Sequence, residues 1–168
     1  MKEYKVWVES IKKMKKMIEV NFDCKMNFNK KDLKEFIVKS VKGILQILEN
    51  KNKNFYVSIL LTNNEKIRKI NSQYRNVDKE TNVLSFAQNE ERMLYELRKY
   101  FILGDIVISI EKILSEAEQQ QKKFWDHLLH MLTHSILHLF GYDHQNDLEA
   151  KKMYKKEKDI LMKFIKRY

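Results

Sequence analysis

Phe124-Trp125-Asp126-His127-Leu128-Leu129-His130-Met131-Leu132-Thr133-His134-Ser135-Ile136-Leu137-His138-Leu139-Phe140-Gly141-Tyr142-Asp143-His144 holds the most apolar helical stretch of the chain and all five of its histidines. Phe124 to Phe140 reads as a helix apolar enough to be buried on most sides, which makes it the centre of the fold. Residues four apart on a helix are rotated by only about 40° and separated by about 6 Å, so His134 and His138 can share one ion. Gly141 can take the left-handed conformation that ends a helix, which turns the chain back and brings His144 to the same point. Three neutral imidazoles with an open position make a catalytic zinc site, whereas structural sites are closed by four protein ligands. A histidine-rich core stripe of His127, His130, His134 and His138 would explain the first pair. It does not explain the glycine and the third histidine at this spacing. His127 and His130 are left as packing, substrate-facing or ligand-supporting residues.

With 168 residues the chain suits one domain spanning 1–168, with 1–16 as a candidate N-terminal extension. No apolar run is long enough for a bilayer, and no secretory signal is readable, so no membrane partner is expected. Cys24 is the one cysteine, which excludes an intramolecular disulfide and fits a reducing, cytoplasmic setting. The formal charge of +10 favours a polyanion, nucleic acid before an acidic protein, although lysine-rich composition also arises from compositional bias. With no proline and three glycines there is nothing resembling a linker or a repeat.

In chain order, Trp7, Val8, Ile11 and Met14 among lysines suggest an amphipathic helix or arm over 1–16. Ile18 to Phe22 alternates as a strand. Asn29 caps a helix to about residue 50 with Leu33, Phe36, Ile37, Val41 and Ile44 on its buried stripe. Phe55 to Leu61 is a second strand, and Thr62 or Asn63 starts a helix to about Tyr74. Val83 to Phe86 and Ile106 to Ile108 are further strands, separated by a charged excursion from Asn89 to Tyr100. Helices follow over Ser109–Gln121 and Phe124–Phe140, and Asn146 or Asp147 caps a last one to about Lys166. The expected class is α/β or α+β: a small mixed four-stranded sheet with about five to six helices and the histidine helix central.

Zinc on three histidines lowers the pKa of a bound water from about 15.7 towards about 7, which suits hydrolysis of an amide or a phosphodiester. The pattern overlaps that of metzincin proteases, H-E-x-x-H-x-x-G-x-x-H, whose general base is the glutamate after the first histidine. Here that position is Ser135, so the peptidase mechanism lacks its base. A second stretch, Asn71-Ser72-Gln73-Tyr74-Arg75-Asn76-Val77-Asp78-Lys79-Glu80-Thr81-Asn82-Val83-Leu84-Ser85-Phe86, runs from a helix end through a polar loop into a strand. Its Arg75 has the forked donors that suit a phosphate. By spacing alone an ion pair between Arg75 and Asp78 is the better reading.

His134 to His144, H-S-I-L-H-L-F-G-Y-D-H, closely resembles the H-G-x-L-H-L-x-G-Y-D-H signature of the YbeY family, bacterial metal-dependent endoribonucleases also called ribosomal RNA maturation factors. The stretch from Asn71 to Phe86 matches the family's N-x-x-Y-R-x-x-D-x-x-T-N-V-L-S-F motif, and Leu103 to Ser109 its L-G-D-I-x-I-S strand. Asp147, Glu149, Ala150 and Met153 look like the start of its last helix. The resemblance covers roughly residues 54–155. Ser135 replaces the usual glycine, and Glu80-Thr81 stands where Pro-Thr is common. The resemblance implies an α+β fold, zinc held by His134, His138 and His144, and an arginine at Arg75 that acts in RNA cleavage. It also implies a single-stranded RNA substrate, maturation of the 3′ end of small-subunit ribosomal RNA, and ribosome quality control. That reverses the spacing-only reading of Arg75.

The expectation is therefore a zinc-dependent endoribonuclease with RNA, not DNA, as partner. Asn82, Ser85 and His130 are further candidates for substrate contact. His130 and Asp143 are candidates for a base, and Asp143 is also a candidate to orient a ligand imidazole. The alternatives are a metallopeptidase with an unusual base, and a non-catalytic ribosome-assembly factor with a structural metal.

Overall fold

The computed structural model describes residues 18–48, 54–88 and 100–165. Strands β1 (Ile18–Phe22), β2 (Asn54–Thr62), β3 (Val83–Ala87) and β4 (Tyr100–Ser109) form one sheet in the order β1-β2-β4-β3. β1, β2 and β4 run parallel, and β3 pairs antiparallel with β4 at the edge. The helices are α1 (Lys30–Leu48), α2 (Asn64–Arg75), α3 (Ile110–Gln119), α4 (Phe124–Leu139) and α5 (Asp147–Ile165). The class is the expected α+β with a mixed four-stranded sheet. The arm expected over residues 1–16 and the charged excursion before Tyr100 lie outside the described residues.

Alternation places the sheet between two layers. Phe55, Val57, Ile59 and Leu61 of β2 are buried on one face. There they meet α1, whose Leu33, Ile37, Val41 and Ile44 have no exposed surface. Parallel neighbours need a crossover, and α1 supplies it between β1 and β2. On the other face, Leu60 of β2, Leu84 of β3 and Val107 of β4 receive Ile67 and Ile70 of α2. α4 lies in the larger core, with Leu128, Leu132, Ile136 and Leu137 wholly enclosed. Each such side chain contributes about 1.5–3 kcal/mol by leaving water.

Side-chain caps start three helices where the sequence suggested them. Asn29 Oδ1 accepts from Lys31 N at 2.9 Å, Asn63 Oδ1 from Lys66 N at 2.9 Å, and Asn146 Oδ1 from Glu149 N at 3.0 Å. Among the described residues no helix is long and apolar enough to cross a membrane.

β4 begins at Tyr100, well before the Ile106 expected from its alternation. Gly104 is the reason: its φ of 141° breaks the pleat, and the β2–β4 register shifts at Tyr56/Val57 without ending the pairing. A Cβ at this position would strike the Phe86 carbonyl across the β3–β4 pair. Gly104→Ala is expected to destabilise the protein by about 1–3 kcal/mol, the usual scale of forced backbone strain, in a denaturant titration. Unchanged stability would show that β3 and β4 separate without cost.

Candidate metal centre

The site is built on the enclosed C-terminal half of α4. From Met131 to Leu139 every residue of α4 is buried except His134 and His138. The same stripe one turn earlier carries His130, also partly open. From Met131 onward the core helix thus shows solvent one narrow line, occupied by imidazoles.

His144 arrives through the end of α4. Gly141 has φ 82°, its N–H donates to His138 O at 2.9 Å, and Tyr142 N–H donates to Leu137 O at 3.0 Å. This pair of bonds is the Schellman closure, which needs a left-handed residue at the position glycine fills. Asp143 Oδ1 then accepts from His144 N at 2.8 Å and pins the turn behind the third histidine. The ring centroids of His134, His138 and His144 stand 4.6, 5.1 and 5.6 Å apart, and one ligand nitrogen from each lies within 4.8 Å of the others.

The donor chemistry fits a metal ion. His134 Nε2 and His138 Nε2 face each other at 3.1 Å, while His134 Nδ1 lies 3.1 Å from Glu157 Oε1. A carboxylate only accepts, so the Glu157 contact favours the His134 proton on Nδ1, which leaves the Nε2 lone pair for the shared centre. Burial, then repulsion from His134 and His144, holds the His138 imidazole below its ordinary pKa despite Asp143 and a backbone hydrogen bond at Tyr142. That favours the neutral form that can coordinate a metal.

Glu157 escaped the sequence reading. It is 8 % exposed on α5, between Met153 and Ile160 on the helix's buried stripe. One carboxylate oxygen meets His134, and the other meets His130 Nε2 at 3.1 Å. Burial pushes this carboxyl up, but the hydrogen bonds from His130 and His134 outweigh it and bring it down to about 2. The available signal was a lone acid at helical spacing within an apolar stripe.

The other expected residues fall into two groups. Arg75, the last residue of α2, donates from Nη2 to Ser85 O at 3.2 Å. Asn82 O and Gln88 N bond to β4, so alternation turns the backbone groups of Ser85 to the free edge of the sheet. The spacing-based partner Asp78 is instead held by Arg68 through two bonds of 2.7 Å. Asn76, left-handed at φ 57°, ends α2 and folds the chain back so that Asp78 lies beside Arg68. Arg75 therefore keeps its charge clear of Asp78. Asn82 turns inward: Nδ2 donates to Glu116 Oε2 at 3.0 Å, and Oδ1 accepts from Val83 N at 2.7 Å. The same Glu116 oxygen meets His127 Nε2 at 2.9 Å, and His127 is 2 % exposed, a packing residue of the core. Ser135 is wholly buried, and its hydroxyl has no partner among the described residues.

Fold and site together define an α+β protein with three histidines gathered at the end of a core helix so that they could hold one metal ion. The family model for endoribonuclease YbeY matches residues 18–165, and the chain belongs to that family. An endoribonuclease YbeY from Bartonella bacilliformis is 48% identical over 114 residues, which cover 64% of this chain and 66% of that protein, slightly under two thirds of its length. The solution structure of TM1509 from Thermotoga maritima has a TM-score of 0.60 at 27% identity, covering 86% of this chain and 87% of that one.

A divalent ion that binds only the folded chain stabilises it by about 2.7 kcal/mol at a hundredfold excess over its dissociation constant. Melts with and without Zn2+ are expected to show that gain in the native sequence, chelator to reverse it, and His138→Ala to lack it. Equal gains in the variant would place the ion elsewhere.

Proposed function

We propose that the protein is a zinc-dependent, single-strand-specific endoribonuclease of the cytoplasm that matures the 3′ end of small-subunit ribosomal RNA and serves ribosome quality control. The observation that carries this reading is the convergence of His134, His138 and His144 on one point, within a chain of the YbeY family. The net charge of +10 suits a polyanionic substrate.

Zinc bound there would supply Lewis-acid chemistry, making a water acidic enough to attack near neutral pH. The chain's own residues do the rest. His134 and His138 project from the enclosed end of α4 and His144 from the turn that Asp143 pins, so the first two reorganise little when loaded. Arg75 sits on the free edge of β3, the strand against which α2 and α4 pack. Its Nη2 already has one carbonyl acceptor, and the remaining guanidinium donors are available to a phosphate whose charge grows in the transition state. Ser85, whose carbonyl anchors Arg75, contributes by holding that arginine at the strand edge. Asn82 acts through the fold, tying the start of β3 to α3 and α4 through Glu116. A peptidase would need a base beside the first histidine, and Ser135 is neither basic nor exposed.

Incubation of the purified chain with single-stranded ribosomal RNA fragments is expected to give cleavage that chelator abolishes and Zn2+ restores. Arg75→Ala should lower kcat by about 10²- to 10³-fold, the usual cost of deleting one donor to a transition-state charge, with the zinc content unchanged. Intact RNA together with chelator-sensitive proteolysis of an unfolded protein would defeat the reading.

A further inference from the structure

We propose that Glu157 is a positioning residue of the metal centre: its carboxylate locks His134 in the Nδ1–H form and His130 locks the carboxylate. The inference rests on the metal-binding reading of the three histidines and goes beyond it.

A neutral imidazole carries one proton, and nothing intrinsic to it selects the nitrogen strongly. If the proton sat on His134 Nε2 it would point at His138 Nε2, 3.1 Å away, and occupy the place of the ion. Its Nδ1 lone pair would then face Glu157 Oε1 at 3.1 Å, an acceptor against an acceptor. Glu157 removes that alternative. The carboxylate is itself held from both ends, since Oε2 meets His130 Nε2 at 3.1 Å while Oε1 meets His134. At 8 % exposure little water competes for either oxygen. His130, one turn before His134 on α4, thus enters the site as the anchor of the anchor. Asp143, the other carboxylate near the ligands, uses its Oδ1 on the His144 backbone.

The arrangement ties two helices to one ion. His134 and His138 belong to α4, whereas Glu157 belongs to α5, whose other buried side chains among the described residues are Met153 and Ile160, with Phe164 packed against the core. An ion that prefers the Nδ1–H form of His134 strengthens the Glu157 contact, and by linkage the docked α5 strengthens ion binding by the same factor. Metal loading is therefore expected to slow amide exchange along α5, not only around the ligands.

The test uses the full chain as wild type, Glu157→Gln and Glu157→Ala, with Zn2+ affinity read by competition against a chromophoric chelator. Loss of such a supporting carboxylate is expected to weaken Zn2+ by about 10- to 100-fold, most for alanine and less for glutamine, whose amide oxygen still accepts from Nδ1. Nitrogen-15 shifts of the metal-free wild type should show His134 protonated at Nδ1, a measurement that needs no variant to fold. Protonation at Nε2, or equal Zn2+ affinity in all three chains, overturns the proposal while leaving the three-histidine centre and the RNA reading standing. A wild type that takes up no Zn2+ removes the metal centre and this inference with it.

Discussion

Everything at the site depends on one constraint: α4 must be core and histidine platform at once. A helix enclosed on nearly every side from Met131 to Leu139 has fixed rotamers and a fixed axis there, so the two open positions of that stretch can present imidazoles with little freedom to lose. The cost is that the surrounding shell must be complete. α1 and the sheet close one side with aliphatic side chains, α3 reaches α4 through the Glu116–His127 contact, and α5 supplies the carboxylate that would otherwise be missing behind His134. The polar groups that had to be buried near this helix are mostly paired, as a low-dielectric interior requires. The Ser135 hydroxyl is an exception, and nothing in the structure explains it.

The edge strand β3 joins the two halves of the proposed chemistry. Its inward groups bond to β4, and its outward groups include the Ser85 carbonyl that receives Arg75. Edge strands usually leave such groups to solvent or cover them. Here the Arg75 guanidinium takes one, which places a positive charge on the rim of the sheet. The left-handed Asn76 makes this possible: by turning the chain at the end of α2 it gives Asp78 to Arg68 and leaves Arg75 for the strand. Asn82 serves the same strand from its other end.

The elements were legible where local chemistry speaks. The caps at Asn29, Asn63 and Asn146, the buried stripe of α1 and the alternation of β2 all follow from periods of 3.6 and 2 and from side chains that satisfy free N–H groups. The start of β4 was not legible. A glycine with positive φ interrupts the alternation without interrupting the hydrogen bonds, and pattern alone reads that as a strand boundary.

The sequence by itself determined the three-histidine cluster, because its convergence needs only a helical repeat of four, a glycine that can turn left-handed, and a short return. Those are local properties, complete within His134 to His144. Only the tertiary structure decided who supports them. Glu157 lies 23 residues from His134 along the chain, and Asp78 chooses Arg68 over Arg75 by a turn of backbone. Such pairings are set by how helices and strands are brought together in space. No spacing between residues encodes them, and so they appear only once the core has placed α4 against α5 and α2 against the edge of the sheet.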